Sequence, residues 1–132
     1  GDPETEVVMP RLKNDLVELF QAVAEQKLDT IKIETDERTV CTVVAVSGGY
    51  PGDYKKGYEI HGLQDINPAD SVVYHMGTII KDGKVVTNGG RVFCVTSYGR
   101  SIYDAVAISK EEIEKITFTG MEYRSDIGYE FD

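Results

Sequence analysis

The sequence predicts an α+β fold: an N-terminal helical arm, then an antiparallel β module interrupted by one helix. Three observations carry that expectation. Apolar residues recur at helical spacing up to about Lys27, the pattern turns β-branched and alternating after Asp29, and Asp82-Gly83 sits between two short apolar runs as a two-residue hairpin turn.

In the arm, Leu12, Leu16, Leu19, Phe20, Val23 and Ala24 fall three and four apart, leaving Lys13, Asp15, Glu18 and Glu25 largely on other faces. Pro10 interrupts this stretch, so a break or fresh start is expected there, with Pro10 in a first turn. The Met9, Leu12 and Leu16 stripe reads as core packing that needs a partner surface.

The β module starts with the alternation Ile31 to Glu34 and the dense run Thr39 to Val46, which reads as a buried strand. Ser47 to Gly52 breaks it. Tyr58 to Ile60 and Val72 to Tyr74 are short strand candidates on either side of the Asn67-Pro68 turn. Thr78 to Ile80 and Lys84 to Thr87 flank the hairpin turn, and Arg91 to Thr96 is a further strand entered through Asn88-Gly89-Gly90. Ser101 and Asp104 mark a helix start, and the spacing of Ser109 and Glu112 suggests a kink or restart inside that helix. Thr117 to Thr119 reads as a closing strand.

The 132 residues suit one compact domain with an arm, divided here as 1–30 and 31–132. With 14 Lys and Arg against 23 Asp and Glu, the net charge of −9 disfavours nucleic acid as a partner, because no basic stripe offsets it. No apolar run approaches the roughly 20 residues of a membrane span, and the first residues have neither the basic start nor the apolar stretch of a signal peptide. A cytoplasmic protein with no membrane partner is expected. Cys41 and Cys94 lie in apolar β-branched runs and read as reduced, buried thiols. No metal-ligand spacing is present, so no metal site is expected in this chain. The chain opens without Met on a turn sequence, which reads as the continuation of a longer polypeptide.

Several short motifs follow one another in a recognisable order. They are Gly1-Asp2-Pro3-Glu4-Thr5-Glu6-Val7 with Pro10-Arg11-Leu12; Gly48-Gly49-Tyr50-Pro51-Gly52 with Lys56-Gly57; His75 with Gly77-Thr78; Thr87 to Val92; and Gly120, Tyr123-Arg124 and Asp126-Ile127-Gly128. This series resembles the phosphoribosylamine–glycine ligases along essentially the whole chain. Met76, Cys94 and the Ile108-Ser109 segment depart modestly from the family pattern, and none of them is a motif residue.

The resemblance implies a C-terminal part of an ATP-grasp ligase. Residues 1–30 would be the tail of the ATP-grasp region, and 31–132 the C-terminal domain, a rudimentary single hybrid motif of barrel-sandwich type. The parent enzyme would join glycine to phosphoribosylamine in purine biosynthesis, using ATP and Mg²⁺ (or Mn²⁺). The family's metal-binding Glu and Asn stand upstream of the Gly-Asp-Pro-Glu, so this chain is expected to hold no cofactor and no catalytic residue. Alone it would be inactive and prone to self-association where it should meet the rest of the enzyme.

The resemblance points to Asp2, Pro3, Glu4, Gly49, Tyr50, Pro51 and Arg91 as substrate-facing residues. Each has a plainer reading. Asp2 and Glu4 would favour the N-terminus of the following helix, Gly48 to Pro51 would form a tight turn, and Arg91 would pair with a surface acid. His75 reads as a packed, hydrogen-bonded core residue rather than a base, and Asn88 as a turn former. Two rival functions are a biotinyl or lipoyl carrier with a lysine at the Lys81–Lys84 hairpin tip, and a non-catalytic interaction module.

Overall fold

The computed structural model describes residues 1–131, which divide into two compact units, Gly1–Arg38 and Thr39 onward. The fold is mixed α and β with antiparallel sheets and three α-helices among the described residues. No helix among those residues is long and apolar enough to cross a membrane.

The first unit holds α1 (Thr5–Arg11) and α2 (Leu16–Ala24). The break falls just after Pro10, but Pro10 occupies the last turn of α1 rather than the first turn of a new helix. Chain pairing competes with helix continuation at this point. Leu12 bridges to Thr35, the Lys13 N–H donates to the Glu34 carbonyl over 2.9 Å, and the Asp36 N–H donates to the Arg11 carbonyl over 2.6 Å. These bonds draw residues 34–36 into the first unit. Asp15, expected on a helix face, instead caps α2, accepting from the Val17 and Glu18 N–H groups at 2.8 and 3.3 Å. Leu19 and Ala22 of α2 are buried, whereas Leu16, Val17, Phe20 and Val23 are exposed. The helix forms where the periodicity places it, and most of its apolar residues stay uncovered among the described residues. A unit of this size has too little volume to bury every apolar side chain.

The second unit is built on a four-stranded antiparallel sheet in the order β2-β5-β1-β6, with β1 at Thr39–Ser47, β2 at Ser71–His75, β5 at Arg91–Gly99 and β6 at Met121–Glu122. The long β1–β5 pairing runs from Thr39 opposite Gly99 to Ala45 opposite Phe93. Cys41, Val43 and Ala45 of β1 and Phe93 and Val95 of β5 form a core with Ala105 and Ile113 of α3 (Ile102–Ile113). Phe118 packs edge-on against Phe93, with ring centroids 6.1 Å apart. Both cysteines are buried free thiols, as their apolar settings suggested, and burial pushes the Cys41 thiol up.

The hairpin forms as predicted. β3 (Thr78–Lys81) pairs with β4 (Lys84–Thr87), and Asp82 and Gly83 both take positive φ, 51° and 77°, the signature of the turn that matches strand twist. Helix α3 starts on the Ser101 cap, whose side chain accepts from the Asp104 N–H. It then runs without a restart at Ser109. That hydroxyl is committed to the Cys41 carbonyl at 2.8 Å, and Glu112 is committed to the Asn67 N–H at 3.0 Å and to Lys115 at 2.7 Å. The spacing of a capping box was therefore a by-product of two tertiary bonds.

Tyr58 to Ile60 is reduced to isolated bridges, Glu59 to Val86 and His61 to Thr117. The closing strand lies two residues beyond Thr119, where Met121 and Glu122 pair with the end of β1. Phe118 has left the strand path to fill the core.

Candidate functional site

The motifs separated in sequence meet at one end of the second unit's sheet. Ser47, the last residue of β1, donates its N–H to the Gly90 carbonyl (2.7 Å) and its hydroxyl to the Gly89 carbonyl (2.8 Å). The next residue, Gly48, donates to the Gly120 carbonyl at 2.7 Å. Three glycine-bearing segments are thereby laced into a rim.

Close backbone approach explains the glycines there. A β-carbon on Gly48 would stand 2.7 Å from the Gly120 oxygen, and one on Gly77 would stand 2.6 Å from the Gly89 α-carbon. At Gly90 it would run into the Tyr50 ring. Gly49 adds a backbone reason, since its φ of +95° disfavours any side chain.

Tyr50 is held by its N–H bond to the Ser47 carbonyl at 3.0 Å and meets Tyr54 edge-on at 6.1 Å between centroids. The Tyr50–Pro51 bond is cis. Arg91 enters β5 opposite Val46, at a bulge where Ala45 pairs with Phe93 but Val46 pairs with Arg91. Strand alternation from Phe93 and Val95 would put Arg91 on the α3 face. The extra residue, Val92, breaks that period and is itself fully buried, and Arg91 is exposed. Gly49, Tyr50, Pro51 and Arg91 are thus brought to one rim.

Asp2, Pro3 and Glu4 belong to the first unit, where they form an exposed turn ahead of α1. Glu4 is the N-cap residue, yet its side chain makes no capping hydrogen bond. The turn is instead tied by Thr5, whose N–H and hydroxyl both donate to the Gly1 carbonyl at 2.8 and 2.6 Å.

His75 corrects the sequence reading. It is exposed rather than packed in the core, with Nδ1 3.0 Å from the Thr78 hydroxyl. His75 shares its side of the strand with buried Ser71 and half-buried Val73, and its exposure comes from its place as the last residue of the edge strand β2. At the hairpin, Lys84 is ion-paired with Glu59 at 2.7 Å, and the two turn residues themselves are Asp82 and Gly83. A carrier that presents its lysine at the turn is not favoured by this arrangement.

Sequence reasoning missed a pocket of about 360 Å³ beside the rim, which Asp53, Tyr54, Lys55, Tyr58 and Thr119 line together with Ser47, Gly48 and Gly120. Its only linear signal was the crowding of tyrosines and lysines in Tyr50 to Tyr58. Among the described residues, no three His, Cys, Asp or Glu side chains converge as a metal site.

A glycine-laced rim at one end of an antiparallel sheet packed against one helix defines the class of the fold as an α+β domain. Residues 40–130 match the family described as Phosphoribosylglycinamide synthetase, C domain, and the chain belongs to that family. The chain is 50% identical over 127 residues to the phosphoribosylamine–glycine ligase of Caldanaerobacter subterraneus, covering 96% of this chain and 30% of that protein. It is 46% identical over 130 residues to the trifunctional purine biosynthetic protein adenosine-3 of Gallus gallus, of which it covers 13%. The crystal structure of phosphoribosylamine–glycine ligase from Thermotoga maritima is similar, with a TM-score of 0.72 at 34% identity over 96% of this chain and 30% of that one. The chain therefore spans about 30% of the length of most of these relatives.

Proposed function

We propose that this chain is the C-terminal part of an ATP-dependent ligase that joins glycine to phosphoribosylamine, giving glycinamide ribonucleotide, ADP and phosphate. The observation that carries the reading is the union of the Gly48–Pro51 and Gly89–Arg91 motifs in one rim, within a chain whose relatives bear that ligase name.

In this reading residues 1–30 end the ATP-grasp region, and 31–132 form the C-terminal domain, a single hybrid motif of barrel-sandwich type. ATP and Mg²⁺ (or Mn²⁺) supply the activation of the glycine carboxylate as an acyl phosphate when bound to the rest of the enzyme. In this reading the metal-binding Glu and Asn and the catalytic residues belong to the rest of the enzyme. This chain's part is to position substrate. Arg91 offers a guanidinium fork to a phosphate or carboxylate, and the rim glycines let backbone N–H groups come near the ligand. Gly49, Tyr50 and Pro51 wall the rim, and Asp2, Pro3 and Glu4, in the first unit, are substrate-facing residues in the same reading. The location is cytoplasmic, in keeping with a biosynthetic enzyme, and the partners are small molecules rather than nucleic acid or membrane.

A chimera tests this. The matched C-terminal segment of the Caldanaerobacter ligase is replaced by this chain and glycinamide ribonucleotide formation is assayed. Activity near that of the parent is expected, with a fall of at least about tenfold in kcat/KM in the Arg91→Gln form. A folded but inactive chimera overturns the reading. The 132-residue chain alone is expected to form no product.

A further inference from the structure

The motif of His75, Gly77 and Thr78 has no task among the substrate-facing residues. Its middle, Met76-Gly77, is the corner between β2 and β3. The chain leaves the four-stranded sheet for the hairpin through this corner and returns to it through Asn88 to Gly90. The two passages are bonded backbone to backbone. The Asn88 N–H donates to the Gly77 carbonyl over 2.8 Å, and the Met76 N–H donates to the Val92 carbonyl over 3.0 Å. These two bonds bracket Arg91.

Gly77 makes the approach possible. A β-carbon on it would stand 2.5 Å from the Arg91 carbonyl oxygen and 2.6 Å from the Gly89 α-carbon. Both are backbone atoms, so neither can turn aside as a side chain would. Ordinary contact begins at 3.4 Å, so an added methyl would push the Arg91 backbone by about 1 Å, a displacement large enough to matter in a binding site. His75 and Thr78 close the corner from its two ends, with Nδ1 and the hydroxyl 3.0 Å apart. Just ahead of Asn88, Thr87 is fixed as well, accepting from the Gly57 N–H at 2.7 Å and donating to the Tyr58 carbonyl at 2.8 Å.

We infer that the Met76-Gly77 corner is a positioning element for Arg91, seating the guanidinium by holding the backbone from which it grows. A functional side chain is useful only if its support holds it to within about 0.5 Å, and a long arginine stem inherits any error at its root. The inference rests on the ligase reading for one element only, that Arg91 meets an anionic group of the substrate. In that reading Gly77 affects the reaction through Arg91, and the His75–Thr78 hydrogen bond keeps the corner closed.

The test joins the chimera to NMR of the 132-residue chain. Gly77→Ala is expected to lower kcat/KM of the chimera about tenfold, but by less than about twofold when Arg91→Gln is already present. Gly83→Ala is the control for stability alone. It strains the far turn of the hairpin, at φ 77°, while its β-carbon meets nothing within 4 Å, and it should leave kcat/KM within about twofold. In the chain, Gly77→Ala is expected to shift the Arg91 Nε signal and Gly83→Ala to leave it in place. If Gly77→Ala does not fold, Thr78→Val carries the same cycle with a loss of about threefold, and Thr78→Ser restores it. An equal loss with and without Arg91→Gln, or an unmoved Nε signal, overturns the proposal. If the unmutated chimera is inactive, the ligase role fails and the Nε signal alone decides the positioning.

Discussion

The ring of Tyr50 lies against the backbone of Gly90 where a β-carbon would be, its Cγ 3.0 Å from that position and its edge nearer still. The contact joins a turn after β1 to the entry of β5, so the conformation of the rim depends on a missing side chain forty residues away in sequence.

Gly90→Ala is therefore expected to destabilise the protein by about 1–3 kcal/mol, the usual cost of overpacking a tight site. Urea unfolding measures it. In a Tyr50→Ala background most of that cost should disappear, since the clash partner is gone, and a double-mutant cycle reads the coupling directly. Additive effects would show that the ring is not what excludes the β-carbon.

Glu112 is a buried carboxylate with two partners on different segments, the Asn67 N–H and the Lys115 ammonium. Removing it strands a backbone donor at the start of the loop before β2. Glu112→Ala should cost about 1–3 kcal/mol, and Glu112→Gln, which keeps an acceptor for Asn67, should cost less. Thermal or urea unfolding of the pair ranks them.

Asp36 accepts two hydrogen bonds from the Arg38 guanidinium, at 3.1 and 2.9 Å, and a third from the Arg38 N–H. The Arg38 side chain first, then its backbone N–H, holds the Asp36 carboxyl well below the ordinary 3.8. Its folded pKa is depressed, so its contribution to stability is fully present above the unfolded value and is lost as pH falls through the folded one. A carboxyl-carbon NMR titration should find Asp36 still ionised at pH 3, and Arg38→Gln should return it toward 3.8. The Arg124 side chain hydrogen-bonds Asp126 and lowers its carboxyl too, so Arg124→Gln should raise it.

Helix α2 exposes Val17 at 73%, Phe20 at 63% and Val23 at 54%. Contiguous apolar residues on one helix face attract another apolar surface. The chain is expected to self-associate reversibly as concentration rises in sedimentation equilibrium, and Phe20→Glu should shift it toward monomer. A wild-type chain that stays monomeric throughout sinks the expectation.

The features that sequence alone established are those set by short-range chemistry. Asp82-Gly83 specified the hairpin because its two residues tolerate positive φ, and β1 was legible because β-branched Thr and Val dominate a run without Gly or Pro. The motif order was enough to state the family resemblance. Tertiary structure decided which polar groups were already spoken for. Ser109 and Glu112 looked like a helix start until Cys41, Asn67 and Lys115 were found to hold them. It also decided that Arg91 faces outward, because a bulge adds one residue against β1 and no single-strand pattern encodes that. The pocket around Lys55 exists only where the end of β1, the 53–58 loop and the Thr119-Gly120 turn converge. Bonds between residues forty or more apart depend on how the whole chain packs, and local residue order carries no record of them.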